Sequence, residues 1–233
     1  MQRFRVFSQM VIFAEVSMAA QKEYLTVGSI GKGEYSEKKS RFLGEIHPVT
    51  SEEEAAAVVA QARKRYYDAR HHCYAWILGE DGSVKKASDD GEPSGTAGVP
   101  ILKVLDGAGI RNAVAVVTRY FGGTLLGTGG LVRSYTQAAQ AALKDARIVR
   151  MCQCSIIGVE IDYSLLDKTL YYLRQQGIDP YDQVYTDKVS FMLTIREDMA
   201  DQICSGLTAL SGASAQIITV DEGFFPLEAG GAD

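Results

Sequence analysis

Arg119-Tyr120-Phe121-Gly122-Gly123-Thr124-Leu125-Leu126-Gly127-Thr128-Gly129-Gly130-Leu131-Val132-Arg133-Ser134-Tyr135 is the stretch around which the rest of this chain is organised. A short, unbroken, β-branched apolar run over residues 113–117 leads into it and predicts a buried strand. Beyond the loop, Leu131, Tyr135, Ala138, Ala139, Ala142 and Ala146 recur at helical spacing. The order is therefore strand, glycine-rich loop, helix. Gly122, Gly123, Gly127, Gly129 and Gly130 allow tight turning and close backbone approach, and Thr128 is the expected helix cap. A helix start behind such a loop offers unpaired N–H groups and partial positive charge to an anion, with Arg119 and Arg133 adding full charges. The competing reading is that the glycines serve only a sharp turn and close helix–strand packing. No Lys follows the last glycine, so this is not a P-loop, and the glycine spacing does not match a dinucleotide fingerprint.

The chain has 233 residues, enough for one large or two modest domains. No apolar run reaches membrane-spanning length, so no membrane association is expected. Cys73, Cys152, Cys154 and Cys204 are too scattered for a disulfide framework and suit a reducing cytoplasm. The formal charge of −5 is unevenly spread: residues 1–150 carry 20 Lys+Arg against 16 Asp+Glu, and residues 151–233 carry 4 against 13. A basic first part facing phosphate and an acidic second part facing a protein partner are the expectations from this split.

Residues 1–20, with Met18 as an alternative start, are expected to be an extension outside the fold. Residues 24–49 read as strands with a turn at residues 31–33, and carry Lys38, Lys39 and Arg41 as a solvated face or a phosphate-facing patch. Ser51 and Glu54 form a capping box opening a helix with Ala55, Val58, Val59, Ala62 and Tyr66 on one face. A buried strand follows, with His71 and His72 at its start on opposite faces; His47 stands apart. The polar loop at residues 88–98 brings Asp89, Asp90 and Glu92 within four positions, beside Ser94, Thr96 and Gly98. These carboxylates suit turns and helix capping, or Mg²⁺; no metal site is assigned and no cofactor is expected. The segments at residues 95–98 and 127–130 each precede a helix, and together would make a paired anion cradle. From about residue 154 the pattern reads βαββαβ, the split-βαβ ferredoxin-like unit, with Asp198 capping its second helix and a tail after Phe225.

Lys39-Ser40-Arg41-Phe42, Ala69-Arg70-His71-His72-Cys73, Ser88-Asp89-Asp90-Gly91-Glu92-Pro93-Ser94-Gly95-Thr96-Ala97-Gly98 and the glycine-rich stretch above resemble the IMPACT family in its bacterial YigZ-like branch. The resemblance covers roughly residues 22–222. It implies an α+β protein of two domains. The N-terminal one is a left-handed βαβ domain, like a small-subunit ribosomal protein and domain IV of elongation factor G. The C-terminal one is a ferredoxin-like βαββαβ domain, like domain V of that factor. The expected boundaries are an extension at 1–20, domains at 21–152 and 153–223, and a tail at 224–233. The resemblance also implies a link to translation.

The resulting expectation is a translation-linked binding protein that contacts RNA or ribosome phosphate. The contacts expected are Arg119, Gly122, Gly123, Gly127, Thr128, Gly129, Gly130, Arg133, Thr96, Gly98, Lys38, Lys39 and Arg41. The alternative is an enzyme acting on a small phosphorylated or anionic substrate, Mg²⁺-dependent or not. His71, His72, Asp89, Asp90, Glu92 and Ser94 would form its polar site, with Cys73 as a nucleophile candidate.

Overall fold

The computed structural model describes residues 22–226; the expected extension at 1–20 and residues 227–233 lie outside that range. The elements run β1 (Glu23–Val27), β2 (Gly31–Glu37), β3 (Ser40–Pro48), α1 (Glu52–Arg65), β4 (His71–Leu78), β5 (Val84–Ser88), α2 (Gly98–Gly107), β6 (Ala113–Tyr120) and α3 (Gly127–Asp145). They continue with β7 (Ile148–Ile161), a 3₁₀ turn at Tyr163–Leu165, α4 (Leu166–Gln175), β8 (Tyr181–Tyr185), β9 (Val189–Arg196), α5 (Glu197–Leu210) and β10 (Gln216–Pro226).

The first sheet has the order β2-β3-β6-β4-β5 with every neighbouring pair antiparallel. β3 and β4 therefore run parallel on either side of β6, with α1 as the crossover between them. Alternation along the strands splits the side chains between two cores. Phe42, Ile46, Cys73, Ala75, Ile77, Ala113, Ala115 and Val117 meet α2 and α3, including Leu131, Tyr135, Ala138 and Ala142. Trp76, Leu78, Val114 and Val116 meet Ala55, Val59 and Ala62 of α1. The helix-spaced alanines of α3 let it lie close on the sheet: a Cβ on Gly33 would come within 2.4 Å of the Ala142 nitrogen.

The second sheet places β8, β9, β7 and β10 side by side, the strand order of the ferredoxin-like unit. Ile157, Val159, Ile161, Val189, Phe191, Leu193 and Ile195 bury one face beneath Leu173, Ile203 and Leu207 of α4 and α5. Its long first strand, β7, also pairs with β1 at its beginning, from Glu23 opposite Cys152 to Val27 opposite Ile148.

Four local expectations change. The β2–β3 turn lies at Lys38 and Lys39, both with positive φ (46° and 66°), and not at residues 31–33. Gly31 and Gly33 instead sit inside β2, where α3 crosses. Asp198 lies inside the first turn of α5, paired with Arg196 at 3.1 Å; Arg196 is the cap position. β10 continues through Phe224 and Phe225 to Pro226, past a register shift between Thr219 and Asp221, so the expected tail begins too early.

Candidate functional site

β6 delivers Arg119 to the end of the first sheet, directly opposite His71 on β4 and Phe42 on β3. Such cross-strand neighbours sit about 5 Å apart on one face, here the α3 face. The guanidinium of Arg119 lies 5.4 Å from the Phe42 ring and 5.5 Å from the Phe121 ring. The Arg119 side chain is 7% exposed and donates through Nη1 to Glu92 Oε1 at 2.7 Å. Tyr135, rising from α3, donates to the same oxygen at 2.6 Å. Cys73 closes the network from below, with Sγ 3.0 Å from the Asp89 carbonyl and 3.3 Å from Tyr135 Oη. Burial pushes the Cys73 thiol well above its usual range, so it is a neutral donor and not the nucleophile the sequence allowed.

The turn Asp89-Asp90-Gly91-Glu92 explains why three neighbouring carboxylates do not form one site. Glu92 N donates to the Asp89 carbonyl at 2.9 Å, and Asp90 and Gly91 both have positive φ. This reversal, of the kind usual in two-residue hairpins, sends the side chains to three different places. Glu92 goes to Arg119 and Tyr135. Asp90 accepts from Arg63 at 2.6 Å and from the His72 backbone N–H at 2.7 Å. Asp89 accepts from the backbone N–H groups of Gly95, Ala97 and Gly98 at 2.8, 2.9 and 2.9 Å. Among the described residues no group of His, Cys, Asp and Glu is placed to hold a metal ion.

Asp89 thus sits where an external anion was expected. Burial opposes its ionisation, but the three amides outweigh that and hold its carboxyl below the usual aspartate range. Thr96, also expected to contact an anion, is buried, and its hydroxyl donates to the Pro93 carbonyl at 2.6 Å. The carboxylate loop meets the start of α3 through Glu92 and Pro93, which face Leu126, Gly127 and Thr128 across one cleft that none of residues 95–98 lines. Of the paired cradle, only the half belonging to α3 remains open.

That half is bare. α3 begins at Gly127, whose φ of 69° favours glycine, and its cap position is Leu126 rather than Thr128, with no side-chain cap bond and no acidic residue in the first turn. Gly127, Thr128 and Gly129 are exposed, and a helix leaves the N–H groups of such positions without internal partners. The cleft before them holds about 420 Å³ and is bounded by Arg70, His71, Glu92, Pro93, Arg119 and Phe121, with Leu125, Leu126 and Leu131. Arg133 lies one turn along α3, exposed, with Nη1 3.8 Å from where a Gly129 Cβ would stand and no carboxylate paired with it among the described residues. Gly122 seats this loop on the β2–β3 turn: a Cβ there would lie 2.1 Å from the Lys39 carbonyl carbon, and its N–H donates to Ser40 Oγ at 3.1 Å. Exposed Lys38 and Lys39 therefore stand beside the loop. Arg41 is exposed too, but is engaged by Glu34 at 2.9 Å. Ser94 is exposed on the rim loop.

The two histidines separate as strand alternation requires. His71 lines the cleft, its Nδ1 2.9 Å from the Asp90 carbonyl. A carbonyl only accepts, so Nδ1 carries the proton and Nε2 of the neutral ring is an acceptor. His72 is buried on the α1 side, 3.2 Å from the Tyr66 carbonyl, and burial pushes its pKa down. His47 is not isolated. It meets Glu45 at 3.1 Å, and Arg65 and Tyr66 reach the same carboxylate at 2.7 and 3.0 Å. Hydrogen bonds from His47, then Tyr66 and Arg65, outweigh burial and hold Glu45 at about 2. Glu45 and His47 are two apart on one strand and so share a face, a signal available from spacing alone.

A larger groove of about 580 Å³ runs between α2 and α3, past Val99, Lys103, Val132 and Leu143. Its polar lining is Lys103, Thr136 and Gln140, with no arginine, histidine or carboxylate.

The Impact N-terminal domain model matches residues 38–143, and a domain of unknown function, DUF1949, matches residues 159–214. IMPACT family member YvyE of Bacillus subtilis is 36% identical over 83% of this chain and 89% of its own length. IMPACT family member YigZ of Escherichia coli is 35% identical over 79% of this chain and 92% of its own. A crystal structure of a hypothetical protein, 32% identical, covers 87% of this chain and 100% of that one with a TM-score of 0.58. A protein described as the two-domain translational regulator Yih1 matches with 24% identity over 51% of this chain and 48% of its own, at a TM-score of 0.35. No helix among the described residues is long and apolar enough to cross a membrane. With the fold, the Asp-Asp-Gly-Glu-Pro turn and full-length relatives in agreement, the chain belongs to the IMPACT family, allied with its bacterial YigZ-like members.

Proposed function

We propose that this is a translation-linked binding protein that contacts RNA or ribosome phosphate at the start of α3. The translational setting comes from the family. The contact surface comes from one observation: α3 begins at the exposed residues Gly127, Thr128 and Gly129, with no side-chain cap bond and no acidic residue in its first turn. A phosphate there accepts N–H bonds and meets the positive end of the helix dipole. Exposed Arg133, one turn further along α3, and exposed Lys38 and Lys39, on the turn beside Gly122, add longer-range attraction. Gly122 packs the loop against the β2–β3 turn that carries the lysines.

A filter-binding titration of single-stranded RNA over a range of salt tests this. The expected result is affinity that falls steeply with salt, with a shallower slope for Arg133→Glu and Lys39→Glu. No binding at low salt, or binding that salt does not weaken, overturns the reading.

A further inference from the structure

We propose that the cleft in front of α3 holds a single nucleotide unit, with its phosphate on the Gly127–Gly129 amides and its base against Phe121. This rests on the anion site proposed above and names what the anion is attached to.

A helix start alone does not define a ligand. The second observation is Arg119. Three buried side-chain nitrogens among the described residues have no hydrogen-bond partner: Trp76 Nε1, Arg111 Nε and Arg119 Nε. Of the three residues, Arg119 is the one that lines this cleft. Its Nη1 is taken by Glu92, which leaves a largely desolvated guanidinium only partly satisfied. A buried donor without an acceptor is costly; Nε itself is closed to the cleft, but Nη2 also has no hydrogen-bond partner among the described residues and is the donor an anion in the cleft would meet.

The apolar half of the cleft separates a nucleotide from bare phosphate. Phosphate uses only the amides, Arg119 and Arg70. Phe121 and Leu125, 50% and 83% exposed, together with Pro93 would then face water for no purpose. Arg119 lies against the Phe121 ring, and the ring's exposed surface offers the stacking platform that single-stranded nucleic acids use. The volume of about 420 Å³ falls within the range of roughly 300–1,000 Å³ common for small-ligand sites. Unpaired Nε2 of His71 supplies an acceptor for a ribose hydroxyl or an exocyclic amine.

The test uses the full chain and isothermal titration with AMP, ribose 5-phosphate, adenosine and inorganic phosphate, and competition of AMP against a labelled single-stranded RNA. AMP is expected to bind at least tenfold tighter than ribose 5-phosphate or phosphate, and to displace the RNA. Phe121→Ala, at an exposed position, should cost AMP on the order of tenfold and cost phosphate several-fold less. Equal affinity for AMP and ribose 5-phosphate, or an unchanged AMP affinity in Phe121→Ala, overturns the proposal. RNA binding that AMP does not displace also overturns it while leaving the RNA reading intact. AMP binding without RNA binding supports the nucleotide cleft and removes the RNA reading.

Discussion

α1 and α3 begin in opposite ways. Ser51 Oγ accepts from Glu54 N–H at 3.2 Å, Glu54 accepts from Thr50 N–H at 2.7 Å, and Glu52, Glu53 and Glu54 fill the first turn of α1. α2 reaches the same end by a longer route, since Asp89 arrives from outside the helix to take its amides. α3 has neither arrangement, and Arg133 follows in its second turn. Capping side chains typically contribute about 1 kcal/mol, so the bare start of α3 is a local cost. α4 and α5 also lack a side-chain cap bond, but they carry Asp167, and Glu197 and Asp198, in their first turns; the start with neither cap nor carboxylate is the one facing the cleft.

Five experiments break or sharpen that contrast. The largest effect is expected from Glu92→Ala. It leaves the Arg119 guanidinium buried and unpaired, which costs about 3–5 kcal/mol. Added phosphate should restore thermal stability more in this variant than in the parent; equal recovery would argue that no anion reaches Arg119. Acidification acts on the other face of the sheet. Glu45 titrates at about 2 in the fold against an ordinary 4.5. Its contribution is therefore complete above about pH 4.5 and lost as the pH falls towards 2, on the order of 2 kcal/mol. Denaturant melts between pH 5 and 2.5 should show the loss, and Glu45→Gln should flatten that dependence.

Asp89→Asn weakens three charge-assisted bonds and is expected to cost about 2 kcal/mol. If α2 and α3 differ only in who supplies the anion, phosphate should also protect this variant more than the parent. Ser51→Ala should cost about 1 kcal/mol and leave RNA affinity untouched. Thr128→Asp is the smallest in stability and the most discriminating. A carboxylate in the first turn of α3 should stabilise the fold by about 0.5 kcal/mol while abolishing phosphate and RNA binding. Retained binding would move the site away from α3.

Much of this was legible in the sequence because it is local. The apolar run of β6, the alanine spacing of α3, the cap at Ser51 and the βαββαβ pattern each follow from a few adjacent residues, and the structure has them. The carboxylate loop was not legible. Three acids in four residues look convergent until positive φ at Asp90 and Gly91 turns them apart. The turn at Lys38 and Lys39 was hidden because lysine rarely takes positive φ, while glycines nearby offered an easier guess. The Glu45–His47–Arg65–Tyr66 cluster joins residues from β3 and the end of α1, which spacing alone does not bring together.

Strand β1 has a consequence for dividing the molecule. It precedes every strand of the first sheet in the chain, yet it is laid along β7, and Leu25 also bridges to Ile110 while its carbonyl accepts from Arg111 N–H at 2.8 Å. Tyr24 rests against Phe224 near the other end of the described chain, with ring centroids 5.1 Å apart. A cut near residue 152 would fall inside β7 and leave its first five residues with β1, whereas a cut before Ile148 keeps β7 whole but parts it from the strand supplied by residues 23–27. Fragments meant to stand alone would have to carry this strand across by fusion or circular permutation.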